Sequence, residues 1–113
     1  MKIVKDKITL AKLKEMSGRM FSGLVKAVVD IEKGTMAVDA SMHADEEQYL
    51  IDNGSKQDDL WGINLYPELD AEEFIEFDSM INLKPDQKNF SRSVENAGIQ
   101  KKIITIVNKL IDR

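Results

Sequence analysis

Oxygen-bearing side chains recur at alternate positions in those segments of the chain that are typical of β-strands. Glu76 and Asp78 stand two residues apart in the stretch FIEFDSMINL, residues 74–83, so a strand would present both carboxylates on one face. Carboxylate and amide oxygens suit a hard cation such as Mg²⁺ or Ca²⁺, or a positively charged partner. The same face of an ordinary solvated sheet also carries acids without any binding role. The predicted face also carries Lys26 and Tyr66, and the candidate binding residues on it are Asp30, Asp39, Asn64, Glu76, Asp78 and Asn82.

A second candidate site precedes the last predicted helix. Lys84, Asn89 and Arg92 lie in a polar loop that leads to the helix N-terminus, where free backbone amides attract anions. These residues predict a phosphate or other anion site. The loop lacks the glycines of a phosphate-binding loop, however, and polar loops before helices are common.

The single histidine, His43, is the only side chain whose ordinary pKa suits acid–base work near neutral pH. With Asp45 and Glu46 it has the residue types of a metal or general-base site, but the string matches no motif, and a helix cap or a surface position is the commoner role. A serine hydrolase is not indicated either. Ser79 is predicted on the core face of its strand, and no Gly-x-Ser-x-Gly turn occurs.

The elements that would position these side chains follow from hydrophobic periodicity. Residues 74–83 are predicted to form a central, half-buried strand, because β-branched and aromatic residues alternate with polar ones. The predicted order is αββαββα: a helix from the cap Thr9 to about Phe21, a hairpin over 24–41, a helix over 43–53, strands over 60–66 and 74–83, and a helix over 96–112.

Strand register is predicted from the parity of the connections. A two-residue turn at Lys33 and Gly34 would pair Val29 with Val38. The odd length of the loop over residues 67–73 places Asn64 opposite Glu76. We therefore predict one α+β domain over residues 1–113, with a four-stranded, mainly antiparallel sheet and helices packed on one face.

Composition limits the class of protein. Hydrophobic residues make up 42% of the 113 residues and charged residues 32%, which are values of a globular chain. The sequence has no cysteine and no apolar run long enough to span a bilayer. A soluble, cytoplasmic protein without a membrane partner is the expectation, and the residues indicate no particular cofactor.

Charge is strongly segregated along the chain. Residues 34–80 contain one Lys or Arg against thirteen Asp or Glu, whereas both flanking segments are basic. The acidic middle would repel a phosphate backbone, so nucleic acid is an unlikely partner. The last predicted helix has an apolar arc wider than one sheet face requires, which predicts a second partner, and a homodimer is favoured.

Three segments of the chain resemble a family of short bacterial and archaeal proteins known only as a domain of unknown function. They are KAVVDIEKGTMAVDASMHADEE, NGSKQDDLWGINLYP and FIEFDSMINLKPDQKN. The resemblance covers nearly the whole chain and implies a family without implying an activity. The residues favour a non-catalytic binding or interaction module that uses the carboxylate-rich sheet face. The alternative is a metal-dependent hydrolase of phosphoesters with Glu76 and Asp78 as metal ligands.

Overall fold

The computed structural model describes residues 1–20 and 23–113. These residues form three α-helices, α1 Leu10–Ser17, α2 His43–Asp52 and α3 Ala97–Leu110. The strands are β1 Lys2–Val4, β2 Ile8–Thr9, β3 Val25–Asp30, β4 Thr35–Val38, β5 Leu60–Leu65, β6 Ile75–Glu76 and β7 Ile111–Asp112. Helix α1 ends at Ser17, and its predicted end near Phe21 lies outside the described residues.

The α+β class is confirmed, but the sheet has five strands rather than the predicted four. Their order is β1-β4-β3-β5-β6, with every neighbouring pair antiparallel, while β2 and β7 form a separate parallel pair. The added strands lie at the two ends of the chain, before α1 and after α3. They are too short for alternation to be recognised in the sequence.

The prediction of a central strand over residues 74–83 is wrong. Only Ile75–Glu76 pairs with β5, at the edge of the sheet, and Met80–Asn82 forms a 3₁₀ turn. The Ser79 hydroxyl accepts a hydrogen bond from the Ile81 amide, and such local side-chain bonds compete with a strand ladder. The middle strand of the sheet is β3.

The first hairpin closes through four residues, 31–34, instead of the predicted two. Val29 pairs with Met36 rather than with Val38, a shift of two residues in register. The Asp30 carboxylate accepts from the Glu32 and Lys33 amides at 2.9 Å each and builds the longer turn. An even shift leaves every side chain on its predicted face.

The apolar face of the sheet is covered by α1 and α3. Leu13 and Met16 of α1 are buried against it. From α3, Ile103, Val107 and Leu110 recur at spacings of three and four residues and pack into the same cluster. The sheet contributes Val25, Ala27, Val29, Met36, Val38, Trp61, Ile63 and Leu65.

Helix α2 covers part of the opposite face, which corrects the prediction of helices on one face only. Leu50 packs with Val28, Ala37 and Leu60, whose side chains point away from the α1 and α3 core. The sequence pattern predicts an open, polar face here. Val28 and Ala37 are apolar residues within that face, and α2 packs on the surface that they form.

No helix in the described part of the chain is long and apolar enough to cross a membrane.

Candidate functional site

A cleft of about 540 Å³ opens where α2 begins beside the uncovered part of the polar sheet face. Strands β3, β5 and β6 supply its floor, and the segment before α2 and the 3₁₀ turn after β6 supply its sides. Its polar lining comprises Lys26, Ser41, His43, Asn64, Tyr66, Glu76, Asp78, Ser79 and Arg92.

Three side chains form a row across the floor of this cleft. The register aligns Lys26 with Asn64, and Asn64 with Glu76, so the three lie side by side on three strands. The predicted pairing of Asn64 with Glu76 is thereby confirmed. The Asn64 amide donates to Glu76 Oε1 at 2.8 Å, and the Tyr66 hydroxyl donates to the same oxygen at 3.0 Å.

Of the two polar atoms of the Asn64 carboxamide, only the nitrogen has a hydrogen-bond partner among the described residues. The residue is 5% exposed, and its Oδ1 atom is closed to solvent without a hydrogen-bond partner within the described residues. Exchanging the amide oxygen and nitrogen would set that oxygen against the Glu76 carboxylate, so the network fixes the orientation. A buried acceptor without a donor lowers the stability of the fold by about 1–3 kcal/mol.

His43, the first residue of α2, lines the cleft with a neutral imidazole. Its Nε2 lies 2.7 Å from the Ile63 carbonyl oxygen, which can only accept, so Nε2 carries the proton. Burial lowers the pKa of His43, and the charges of Lys26 and Arg92 lower it further. Nδ1 is then the ring nitrogen that can accept a hydrogen bond.

Asp78 and Arg92 form an ion pair at the side of the cleft. Arg92 Nε donates to Asp78 Oδ1 at 2.7 Å, and both side chains are substantially exposed. Arg92 was predicted as part of an anion site and Asp78 as part of the carboxylate face. The structure brings these two together with Glu76 and Asn64 in one cleft.

Two other residues of the predicted carboxylate face hold the backbone together instead of facing the cleft. Asp30 is buried and, besides its bonds to the hairpin turn, accepts from Ser55 Oγ at 2.6 Å. Asn82 is buried as well. Its side chain binds the amide and the carbonyl of Gly62, at 2.8 and 2.9 Å, and the carbonyl of Arg92 at 2.9 Å.

Asp39 lies apart from this row, in a backbone conformation with a positive φ of 71°. Its carboxylate forms an ion pair with Arg19 at 3.0 Å. Ser79, which was predicted on the core face, lies instead against Gly62 on the opposite face. A Cβ atom at Gly62 would stand 2.5 Å from the Ser79 side chain, so this close approach requires glycine.

The other members of the predicted anion site are buried in local contacts. The Lys84 ammonium donates to the Gln57 carbonyl at 2.9 Å and lies 5.3 Å from the centre of the Trp61 ring. Asn89 donates to the carbonyls of Asn82 and Ser93, both at 2.7 Å. Only Arg92 of the three reaches the cleft.

Glu46 is a buried acid that the sequence pattern was not used to predict. It is fully buried between α2 and the sheet, where Oε2 accepts from the Ala40 amide at 3.2 Å. Burial raises the pKa of Glu46 to about 9, so the side chain is protonated at neutral pH. A signal was present, because His43, Glu46 and Leu50 follow the three-and-four spacing of a buried helix stripe.

Comparison with known proteins gives a family without an activity. Residues 2–110 match the family described as "Protein of unknown function (DUF5674)". The chain belongs to this family. The resemblance to a domain of unknown function is thus confirmed. No curated protein and no solved structure matches the chain.

A metal site receives no support from the geometry of this DUF5674 member. Across residues 1–20 and 23–113, no three or more His, Asp or Glu side chains converge in a group that could hold a metal ion. Glu76 binds Asn64 and Tyr66, and Asp78 binds Arg92. The cleft therefore offers hydrogen-bonding groups of mixed charge.

Proposed function

We propose that this protein is a non-catalytic binding module whose ligand occupies the cleft beside the start of α2. The observation that carries the proposal is a cleft of about 540 Å³ whose floor holds two charged side chains without an ion-pair partner among the described residues, Lys26 and Glu76. Small-molecule sites combine a concave surface with a few placed polar groups, and this cleft has both features.

The unfilled groups of the cleft are mainly acceptors. His43 has an acceptor nitrogen at Nδ1, and the exposed Glu76 carboxylate has an oxygen, Oε2, without a donor among the described residues. A ligand that brings N–H or O–H groups would satisfy both, which fits the cationic partner expected for the carboxylate face.

The rim of the cleft is apolar and adaptable. Met42 is 57% exposed and Met80 is 62% exposed, on opposite sides of the opening. Methionine side chains are unbranched and polarizable, and proteins use them where a surface must adapt to its ligand. We infer that the ligand carries an apolar part beside its donor groups.

Ser79 supports the non-catalytic assignment. The side chain is 2% exposed, and its hydroxyl is engaged by the Ile81 amide at 3.3 Å and held against Gly62. A hydroxyl in this position is not available to attack a substrate. Ser79 is therefore not a free nucleophile beside His43.

Self-association in the cytoplasm stays a prediction. Most of the apolar arc of α3 is used within the chain, because Ile103, Val107 and Leu110 are buried and Ile99 and Ile106 pack against the same cluster. Ile104 is the exposed apolar residue of this arc, at 40%. We expect light scattering to decide between monomer and dimer, and Ile104→Lys to weaken any dimer that uses this face.

The proposed function is tested by a ligand screen read by amide chemical shifts. A library of small amines, alcohols, amides and nucleosides is titrated into ¹⁵N-labelled protein. Ligands should perturb the amides of Lys26, His43, Asn64 and Glu76 and should raise the melting temperature with concentration. Shifts confined to surfaces outside the cleft would contradict the proposal.

A substitution separates cleft binding from general effects. Asn64→Leu keeps the side-chain size but removes the amide that holds Glu76 in the floor of the cleft, and it should abolish binding of every ligand that perturbs the cleft. Asn108→Leu, at an exposed position on α3, is the matched control and should leave binding unchanged. Retained affinity in Asn64→Leu would refute the assignment of this cleft.

A further inference from the structure

The cleft has a negative end at Glu76. This carboxylate accepts two neutral hydrogen bonds, from Asn64 and Tyr66, and has no Lys, Arg or His nitrogen within 4 Å in the described ranges. Both of these bonds end on Oε1, so Glu76 Oε2 has no donor among the described residues. An ammonium group can donate a charge-assisted hydrogen bond to this oxygen.

The opposite end is positive. Lys26 is half-buried, and its ammonium has no carboxylate within 4 Å among residues 1–20 and 23–113. Helix α2 begins at the same end, and its N-cap Met42 provides no side-chain acceptor for the first-turn amides. A lysine and an uncapped helix N-terminus together suit a carboxylate.

The acids of the first turn of α2 do not cancel this positive end. Asp45 lies outside the lining of the cleft. Glu46 is protonated at neutral pH, because burial raises its pKa to about 9. Arg92, the other cation of the cleft, is already paired with Asp78. The free charges of the cleft are therefore one cation, Lys26, and one anion, Glu76.

The strand register sets the distance between these two charges. Lys26 and Glu76 flank Asn64 on neighbouring strands. Paired residues of antiparallel strands lie about 5 Å apart, so the two Cα atoms are separated by about 10 Å. Both side chains leave the sheet on the same face, and their flexible stems let the ammonium and the carboxylate reach a ligand that lies between them. A small zwitterion such as an α-amino acid, whose own charged groups are roughly 3 Å apart, offers one partner to each.

We propose that the ligand of this cleft is an α-amino acid with an apolar side chain, bound as a zwitterion between Lys26 and Glu76. The inference rests on the proposed function and specifies its ligand. The ammonium binds Glu76, and the carboxylate binds Lys26 and the first turn of α2. The apolar side chain lies against Met42 and Met80 at the rim.

Three probes of equal shape test the zwitterion. L-Leucine has both charges, 3-methylbutylamine lacks the carboxylate, and 4-methylpentanoate lacks the ammonium. Titrations followed by amide shifts and calorimetry should show L-leucine binding at least tenfold tighter than either fragment. Equal binding of leucine and the amine, lost in Asn64→Leu, would overturn the zwitterion and leave the proposed function intact. No cleft perturbation by any probe or by the ligand screen would overturn both.

Two charge substitutions test the assigned contacts. Lys26→Met and Glu76→Gln should each weaken L-leucine binding by tenfold or more, whereas the exposed controls Lys101→Met and Glu32→Gln should not. Lys26→Met should leave the affinity for 3-methylbutylamine unchanged, which separates loss of a contact from loss of the fold. Leucine affinity that is unaffected by either substitution would overturn the proposal.

Discussion

The two faces of the sheet are built from the same strands but differ in composition and in their contribution to the free energy of folding. The face under α1 and α3 is a continuous apolar cluster that includes Trp61, Ile63 and Leu65. The opposite face has a small apolar cluster under α2 and, beside it, the row of Lys26, Asn64 and Glu76. One face therefore supplies most of the hydrophobic stabilisation, and the other retains polar groups whose burial opposes folding.

This difference is informative about function. A protein selected for stability alone would gain by replacing a buried acceptor that lacks a donor, such as Asn64 Oδ1, or a buried acid such as Glu46. Both are on the α2 face, next to or under the cleft. Stability trade-offs of this kind are typical of binding sites, where a ligand completes the hydrogen bonding.

The largest expected effect is on the apolar face. Ile103→Ala removes a fully buried side chain and should lower the free energy of unfolding by about 4 kcal/mol, because it leaves a cavity between α3 and the sheet. Urea unfolding measures the change. The neighbouring Ile104→Ala, at a position that is 40% exposed, should cost less than about 1 kcal/mol. Equal losses would mean that α3 is placed with the wrong face inward.

The next effect concerns the polar contacts that anchor the segment after β6. Asn82→Ala removes three hydrogen bonds to backbone groups and leaves the amide and carbonyl of Gly62 without that partner. We expect a loss of about 3 kcal/mol in the free energy of unfolding. Asn108→Ala, whose side chain is exposed, is the control and should change it little. A neutral Asn82→Ala would show that the segment does not depend on this side chain.

Burial of Glu46 under α2 lowers the stability of the fold by an amount that depends on pH. The folded pKa of about 9 lies above the ordinary glutamate value of 4.5, so the folded state keeps a proton that the unfolded chain releases. Because of this group, the free energy of unfolding should fall as the pH rises from about 4.5 to about 9. Glu46→Gln keeps the shape without the charge and should stabilise the fold by up to about 3 kcal/mol at pH 7.

The pH profile is the decisive measurement for Glu46. The gain from Glu46→Gln should disappear below pH 4.5, where both states of the parent protein are protonated, and should be largest near pH 9. Glu32→Gln, on the exposed hairpin turn, should give a flat difference. A gain in Glu46→Gln that is independent of pH would show that the acid is not buried as described.

The smallest effect is expected at the Asp78–Arg92 ion pair. Both side chains are largely exposed, at 43% and 56%, so Arg92→Gln should change the free energy of unfolding by less than about 1 kcal/mol. The remaining difference should shrink in high salt. A loss above 2 kcal/mol that persists in high salt would mean that this pair holds the cleft together.

Much of the sheet could be predicted because alternation has a fixed period. Trp61, Ile63 and Leu65 point to the core, and Asn64 stands opposite Glu76, as parity required. The predicted faces of the hairpin residues are correct although the predicted turn length is wrong. The register moved by two residues, so no side chain of the hairpin changed face. The α+β class and the row that includes Asn64 and Glu76 were thus contained in the sequence pattern.

Only some of the residues predicted for the two sites lie together in the cleft. Asn64, Glu76, Asp78 and Arg92 line the cleft. Asp30 and Asn82 have the same residue types, but they bind backbone groups of turns and loops. Residue type and alternation could not separate these roles, because a carboxylate or amide binds a turn as readily as a ligand.

The sequence by itself determined which residues of the strands share a face, because backbone pleating alternates side chains whatever surrounds them. Only the tertiary structure decided that α2 covers part of the polar face, that Glu46 is buried beneath it, and that residues 77–83 leave the sheet. Each of these outcomes depends on contacts between segments far apart in the chain. The bond of Asn82 to Gly62, for example, spans 20 residues. No local periodicity encodes such a contact, since its free energy exists only when both segments are already in place.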